Sequence, residues 1–279
     1  MTDEVVLYRV EDGVAVITLN RPERMNAWTG KLQAQYFEHL AEADQSGEVG
    51  AIVLTGAGRG FCPGADMDGL AAAAGGRESN LGQAAGGSGN GRQERPMTFP
   101  ITIGKPLIAA INGACAGLGL VQALMCDLRF AAPGVKFTMA FSRRGLIAEH
   151  GASWLLPRLI GTSRALDVML SSRVFTSEEA LDLGIVNRVV AADQLMDEAI
   201  AYARDLAKNC SPASMAIIKQ QVYRHATLDL DTAWRESNEL MAMTLAGPDF
   251  KEGVASFVEK RPPAFAPLGE GTPIDFPFD

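Results

Sequence analysis

Two glycine-rich stretches and one acidic residue carry most of the chemistry this sequence can offer. In Pro106 to Phe130, PLIAAINGACAGLGLVQALMCDLRF, an apolar strand at Leu107 to Ile111 meets Asn112-Gly113, and Leu118 to Met125 then reads as a buried helix with almost no polar face. Gly113, Gly117 and Gly119 permit positive φ or a close approach to the main chain. The first N–H groups of the following helix have no partner inside it, and the helix dipole favours negative charge there. Upstream, Ala51 to Leu70, AIVLTGAGRGFCPGADMDGL, repeats the pattern: a strand to Thr55, a glycine cluster, and Gly64-Ala65-Asp66 opening a helix that Asp66 can cap. Either turn alone is an ordinary strand-to-helix connection. Both together, facing one oxygen, would form an oxyanion hole, whose donors stabilise charge that develops only during reaction.

A proton carrier would complete such a site, and Glu149 in GLIAEHG is one carboxylate of the chain that could serve. Its alternative duty is to cap the helix that begins near Gly151. Adjacent His150 either assists Glu149 or packs beside it, while His39 and His225 fall on helices as surface or packing residues. Asp68 is placed to solvate the first turn of its helix, and Asp127 to satisfy local backbone donors. Cys62 has no visible base partner, which argues against a thiolate mechanism.

These turns need elements to hold them. Val5 to Val10 and Val14 to Leu19 alternate around Glu11-Asp12-Gly13 and predict a hairpin. Thr29 can cap a helix to about Ser46, with Leu32, Tyr36, Phe37 and Leu40 at helical spacing. Short strands follow at Leu128 to Ala131 and Lys136 to Thr138, then a helix from Ala152 through Leu159, a capping-box helix from Thr176 to Gly184, and a strand at Val186 to Val190. The alternation predicts an α/β fold of repeated ββα units wound into a spiral over residues 1–192. Residues 193–279 change to long helices, at Asp193 to Asn209, Pro212 to Ala226, Leu230 to Ala246 and Asp249 to Glu259, and end in a Pro-rich tail expected to wrap a surface. Residues 71–100 include a Gly- and Ala-rich run of weak packing potential, which reads equally as a mobile lid or as a surface insertion.

Composition bounds the partners. The net charge of −8, with no Lys/Arg block, argues against nucleic acid, whose phosphates draw clustered cations. No apolar run approaches the ~20 residues of a membrane span, and the first residues lack a basic and apolar leader, so the expectation is a soluble cytoplasmic protein. The four cysteines, Cys62, Cys115, Cys126 and Cys210, show no CxxC spacing, so no metal site or disulfide framework is expected.

FCPGADM followed by AINGACAGLGLVQALMCDLRFA resembles the crotonase superfamily, the enoyl-CoA hydratase and isomerase family. The likeness extends over nearly the whole chain, through RPERMNAW, RGLIAEHGASWLLPRLIG, FTSEEALDLGIVNRVV and FVEKRPPAF. It implies an acyl-CoA substrate whose thioester oxygen lies between the N–H groups of Ala65 and Leu118, with no cofactor beyond the substrate's own coenzyme A. It places Arg24, Met25 and Ala27, with Ala65, Asp66 and Met67, along the coenzyme A moiety, and Phe257 and Lys260 at its pantetheine and phosphate, in some members from a neighbouring subunit. A solvated lysine beside a core phenylalanine is the other reading of that last pair. The C-terminal helices would build a homotrimer or a dimer of trimers.

One departure from the family pattern redirects the chemistry. Hydratases of the family use two glutamates, and the matching positions here hold Val121 and Phe141, which cannot move a proton. Glu149 matches the single acid of the isomerase branches, which takes a proton from C2 of a 3-enoyl thioester and returns it at C4. Single-carboxylate isomerisation is therefore favoured over hydration. Hydration by another residue set, a non-catalytic acyl-CoA binding subunit, and hydrolysis of a thioester or C–C bond stand as alternatives. The acyl pocket is open, with Trp28, Phe137, Phe141 and Trp154 as candidate walls.

Overall fold

A computed structural model describes residues 4–75 and 95–271. Most of the glycine-rich part of the 71–100 insertion, and with it the lid expectation, lies outside the described residues. Val6–Glu11 (β1) and Val14–Leu19 (β2) pair antiparallel, joined by Asp12 and Gly13 at φ +49 and +80, the positive pair that a tight hairpin requires. Helix α1 (Gly30–Gln45) follows, capped by the Thr29 side chain, which accepts from the Leu32 N–H.

Each later unit contributes one strand to each of two sheets and then a helix. β3 (Ala51–Gly56) and β4 (Gly60–Cys62) precede α2 (Met67–Ala74). β5 (Leu107–Ile111) and β6 (Ala114–Ala116) precede α3 (Leu118–Leu124). β7 (Leu128–Ala131) and β8 (Lys136–Thr138) precede α4 (Ala152–Ile160) and α5 (Thr162–Ser171). β9 (Phe175–Thr176), α6 (Ser177–Leu183) and β10 (Arg188–Val189) close the spiral. The larger sheet runs β1-β2-β3-β5-β7-β10 and is parallel from β2 onward; the smaller runs β4-β6-β8-β9. Every residue of β3 and β5 is buried, which explains why both strands read as unbroken apolar runs.

The strand expected at Val186 to Val190 shrinks to Arg188–Val189. The N–H groups of Ile185 and Val186 both donate to the Ala180 carbonyl, so the end of α6 holds them out of the sheet ladder. Helix α7 (Leu195–Asn209) lies on the larger sheet and buries Leu195, Ala199 and Ala203. Helices α8 (Pro212–His225), α9 (Leu230–Ala246) and α10 (Pro248–Glu259) follow, and within the single chain they leave Trp234, Leu230 and Phe257 at 64%, 83% and 84% exposure. The tail returns to the core, where Leu268 packs beside Gly104 and Pro267 beside Gly47. Among the described residues, no helix is long and apolar enough to cross a membrane.

Candidate active site

The smaller sheet brings the predicted turns together. β4 and β6 run parallel with Gly60 opposite Ala114 and Cys62 opposite Cys115; β8 lies beside β6 with Phe137 opposite Cys115. Parallel neighbours finish at the same edge. The connections leaving them are therefore adjacent: 63–66 after β4, Gly117 after β6, and 139–151 after β8. Gly117 takes φ +48 and donates its N–H to the Thr138 carbonyl at 2.9 Å. Gly64 takes φ +104, and a methyl group built on it would stand 3.1 Å from the Ala116 oxygen and 3.7 Å from the Leu118 nitrogen. The two glycine turns touch.

Their spare amides follow from local hydrogen bonding. Ala65 forms a parallel bridge with Trp28: the Trp28 N–H donates to Gly64 at 2.8 Å, and the Asp66 N–H donates to Trp28 at 3.0 Å. Amides alternate in direction along an extended segment, so the N–H of Ala65 points away from Trp28. Leu118 is the first residue of α3, where an N–H has no intrahelical acceptor. Among the described residues neither amide has a hydrogen-bond acceptor.

Glu149 lies in the third connection. Its main-chain oxygen accepts from the Ala152 N–H at 3.0 Å, and among the described residues no amide of α4 donates to its carboxylate. The carboxylate stands 3.8 Å from the Nε2 atom of His150. Burial pushes that imidazole below its ordinary value, and the charge of Glu149 offsets only part of the shift. His150 at φ +53 and Gly151 at φ +83 turn the chain into α4, with Gly151 packed beside Thr98 and Met125. Val121 and Phe141 are buried at 0% and 7% exposure and offer no proton.

The loop predicted to meet coenzyme A is stitched to the first glycine turn. Met25 and Asn26 take φ +50 and +66, and the buried Asn26 amide donates to the carbonyls of Ala57 and Gly60. Arg24 pairs with Asp68 at 3.4 Å on the surface, Ala27 is buried, and Met67 is 63% exposed. The guanidinium of Arg21 donates to both the Ala27 carbonyl and the Asp66 carboxylate. Burial pushes the Asp66 carboxyl up, but the Arg21 hydrogen bond, the Asp68 N–H and the charges of Arg21 and Arg24 outweigh it, leaving the group below the usual carboxylate range.

Other candidates fall elsewhere. Phe257 lines a cavity of about 500 Å³ between α8, α9, α10 and the tail, away from residues 24–27 and 65–67, and Lys260 ends that helix in a left-handed conformation. Trp154 sits between Tyr223 and Arg158 in a separate cavity of about 610 Å³, and Phe137 stacks on Phe175 in the core. Burial pushes the Cys62 thiol up to about 12, consistent with an inert side chain. Among the described residues no group of three or more His, Cys, Asp or Glu could hold a metal ion. Arg21, Asn26 and Gln122, whose amide donates to the Met97 carbonyl, make hydrogen bonds between distant segments that no spacing in the sequence marks.

A spiral of ββα units with amide donors on two abutting turns is the crotonase architecture, and the chain belongs to the enoyl-CoA hydratase/isomerase family, whose model matches residues 9–267. It is 37% identical over 262 residues to 1,2-epoxyphenylacetyl-CoA isomerase of Escherichia coli K12, spanning 94% of this chain and 98% of that one. Among solved structures, an enoyl-CoA hydratase from Mycobacterium marinum is 48% identical, with TM-score 0.67 over 80% of this chain and 99% of that one. An enoyl-CoA hydratase from Polaromonas sp. JS666 is 29% identical, with TM-score 0.83 over 93% and 99%. The protein is thus an enzyme of the enoyl-CoA hydratase/isomerase type.

Proposed function

We propose that this enzyme binds an acyl-CoA thioester with its carbonyl oxygen between the N–H groups of Ala65 and Leu118, and moves one proton with Glu149. The observation that carries the reading is a pair of amides, without an acceptor among the described residues, on touching turns, with a carboxylate in the third connection of the same sheet edge. Glu149 removes a proton from C2 of a 3-enoyl thioester, the electron pair passes to the thioester oxygen, and the same carboxyl returns the proton at C4. The two amides hold the charge between those steps. No cofactor beyond the coenzyme A of the substrate is needed for this shuttle.

Isomerisation is favoured over hydration because Val121 and Phe141, buried at the positions that match the family's two glutamates, can neither hold nor activate water. The Escherichia coli relative is named an isomerase of an epoxide, so its name speaks for isomerase chemistry in the family and not for this double-bond shift. Arg24, Met25 and Ala27, with Asp66 and Met67, border the coenzyme A moiety; Phe257 and Lys260 reach it from a neighbouring copy. The apolar side chains exposed on α8 to α10 support a helical region, 193–279, that joins spiral cores of residues 1–192 into a homotrimer or a dimer of trimers.

Wild type and Glu149→Gln should be supplied with 2-enoyl-CoA and 3-enoyl-CoA. The expected result is 3-enoyl isomerisation that falls by about 10²- to 10⁴-fold in the variant. Fast hydration of 2-enoyl-CoA, untouched by the substitution, would overturn the assignment.

A further inference from the structure

Arg21 joins two segments that lie far apart in sequence. Its Nη1 atom donates to the carbonyl of Ala27 and, at 3.0 Å, to Oδ2 of Asp66, while its own N–H donates to the Asn26 side chain at 2.8 Å. The other oxygen of Asp66 accepts the Asp68 N–H at 3.1 Å, and the Asp66 N–H is already committed to Trp28. Asp66 is therefore held at its main chain and at both carboxylate oxygens. The Arg21 and Asp66 side chains are only 17% and 11% exposed, so little water competes for the pair.

The Ala65 N–H belongs to the peptide that links Gly64 to Ala65, whose carbonyl accepts from Trp28, and Asp66 is the next residue. Gly64 is in a left-handed conformation that by itself leaves the chain a wide choice of direction. The Trp28 bridge fixes which way the Ala65 amide faces, and the Arg21–Asp66 pair fixes how far the turn can swing from residues 27–28. A donor that must meet charge in the transition state gains from being held beforehand.

We propose that Arg21 is a positioning residue for the reaction, acting through Asp66 to hold the Ala65 amide where the substrate oxygen develops charge. This rests on the oxyanion reading of Ala65. Because the same nitrogen also holds Ala27, Arg21 couples the segment beside the coenzyme A moiety to the segment that polarises the acyl group.

The test reads the bound carbonyl directly. A saturated acyl-CoA carrying ¹³C at the thioester carbonyl is bound to wild type, Arg21→Gln, Arg21→Lys and Asp66→Asn, and its stretching frequency is measured by difference infrared spectroscopy. Turnover of 3-enoyl-CoA and thermal unfolding are followed in parallel. In wild type the frequency should fall on binding. In Arg21→Gln at least half of that shift should be lost, with kcat lower by about tenfold or more. Arg21→Lys should recover part of both, and Asp66→Asn, which keeps the shape but removes the charge, should move both in the same direction as Arg21→Gln.

A wild-type downshift that Arg21→Gln leaves unchanged, with kcat unaltered, overturns the positioning role and leaves the oxyanion reading standing. No downshift in wild type, or no binding, overturns the oxyanion reading itself. A change confined to KM and melting temperature also overturns the proposal, since it marks a purely structural ion pair. Should Arg21→Gln fail to fold, Asp66→Asn decides, and a wild-type frequency in that variant overturns the proposal.

Discussion

The carbonyl oxygen of Cys62 occupies the place where a side chain at Gly119 would begin. A methyl group on Gly119 would come within 2.2 Å of that oxygen and 2.7 Å of the Cys62 Cβ atom. Cys62 is the last residue of β4 and Gly119 the second of α3, so the contact seats the first turn of that helix on the strand leading to Ala65. Neither partner has a flexible end that can swing aside. Gly119→Ala should therefore push the Leu118 amide away from the 63–66 turn, lowering kcat for 3-enoyl-CoA by about tenfold or more and stability by about 1–3 kcal/mol. Steady-state kinetics beside urea unfolding checks both, and a fully active alanine variant would mean that the turns are free to separate without loss.

Much of this arrangement is legible in the sequence because it is local. Alternation and a turn with positive φ specify the first hairpin, helical spacing with a Thr29 cap specifies α1, and Gly117 and Gly64 mark the places where strand becomes helix. The smaller sheet is harder to see. Its strands have two or three residues each, too few for a period, and β4 meets β6 across more than fifty residues of chain. Helix α5 is hidden for another reason: it buries only Ala165 and Val168 and exposes Leu166 and Leu170, so its apolar residues do not mark its inner face. Arg21 stands at the head of RPERMNAW, but nothing in that stretch points to Asp66, which lies 45 residues away.

Lys105 gives the fold a pH dependence of definite sign. Its ammonium is buried at 3% exposure and donates to the carbonyls of Ala43 and Ser46 at the end of α1. Burial pushes its pKa down from 10.5 to about 8, with Asp44 pulling it partly back. Between those values the unfolded chain holds a proton that the folded chain has released. Stability from this group therefore rises as pH climbs through the window and is lower beneath it. The difference in unfolding free energy, wild type minus Lys105→Met, should grow by on the order of 2–3 kcal/mol between pH about 7.5 and about 10.5. Urea titrations of both proteins measure it, and subtracting the variant removes the shared contribution of the buried thiols. A difference that stays flat would show that Lys105 keeps its proton in the fold.

Asp127 joins the spiral core to the C-terminal helices. One of its oxygens accepts the Leu107 N–H at 2.7 Å, where β5 begins, and the Lys219 ammonium of α8 at 2.9 Å. Lys219 also donates to the Lys105 carbonyl at 3.2 Å, and its side chain is 7% exposed against 22% for Asp127. Lys219→Met removes the cation but leaves the carboxylate its bond from Leu107. Asp127→Ala strands both the ammonium and the Leu107 N–H. Removing one partner of a well-buried pair costs about 3–5 kcal/mol, and the partial exposure of Asp127 puts both variants toward the lower end of that range. Asp127→Ala should be the worse by about 1 kcal/mol, the cost of the unsatisfied amide. The double variant Asp127→Ala/Lys219→Met should lose less than the sum of the two, because no isolated ammonium remains. Urea unfolding of all four proteins closes the cycle, and strictly additive losses would mean that α8 is held to the core by its apolar contacts alone.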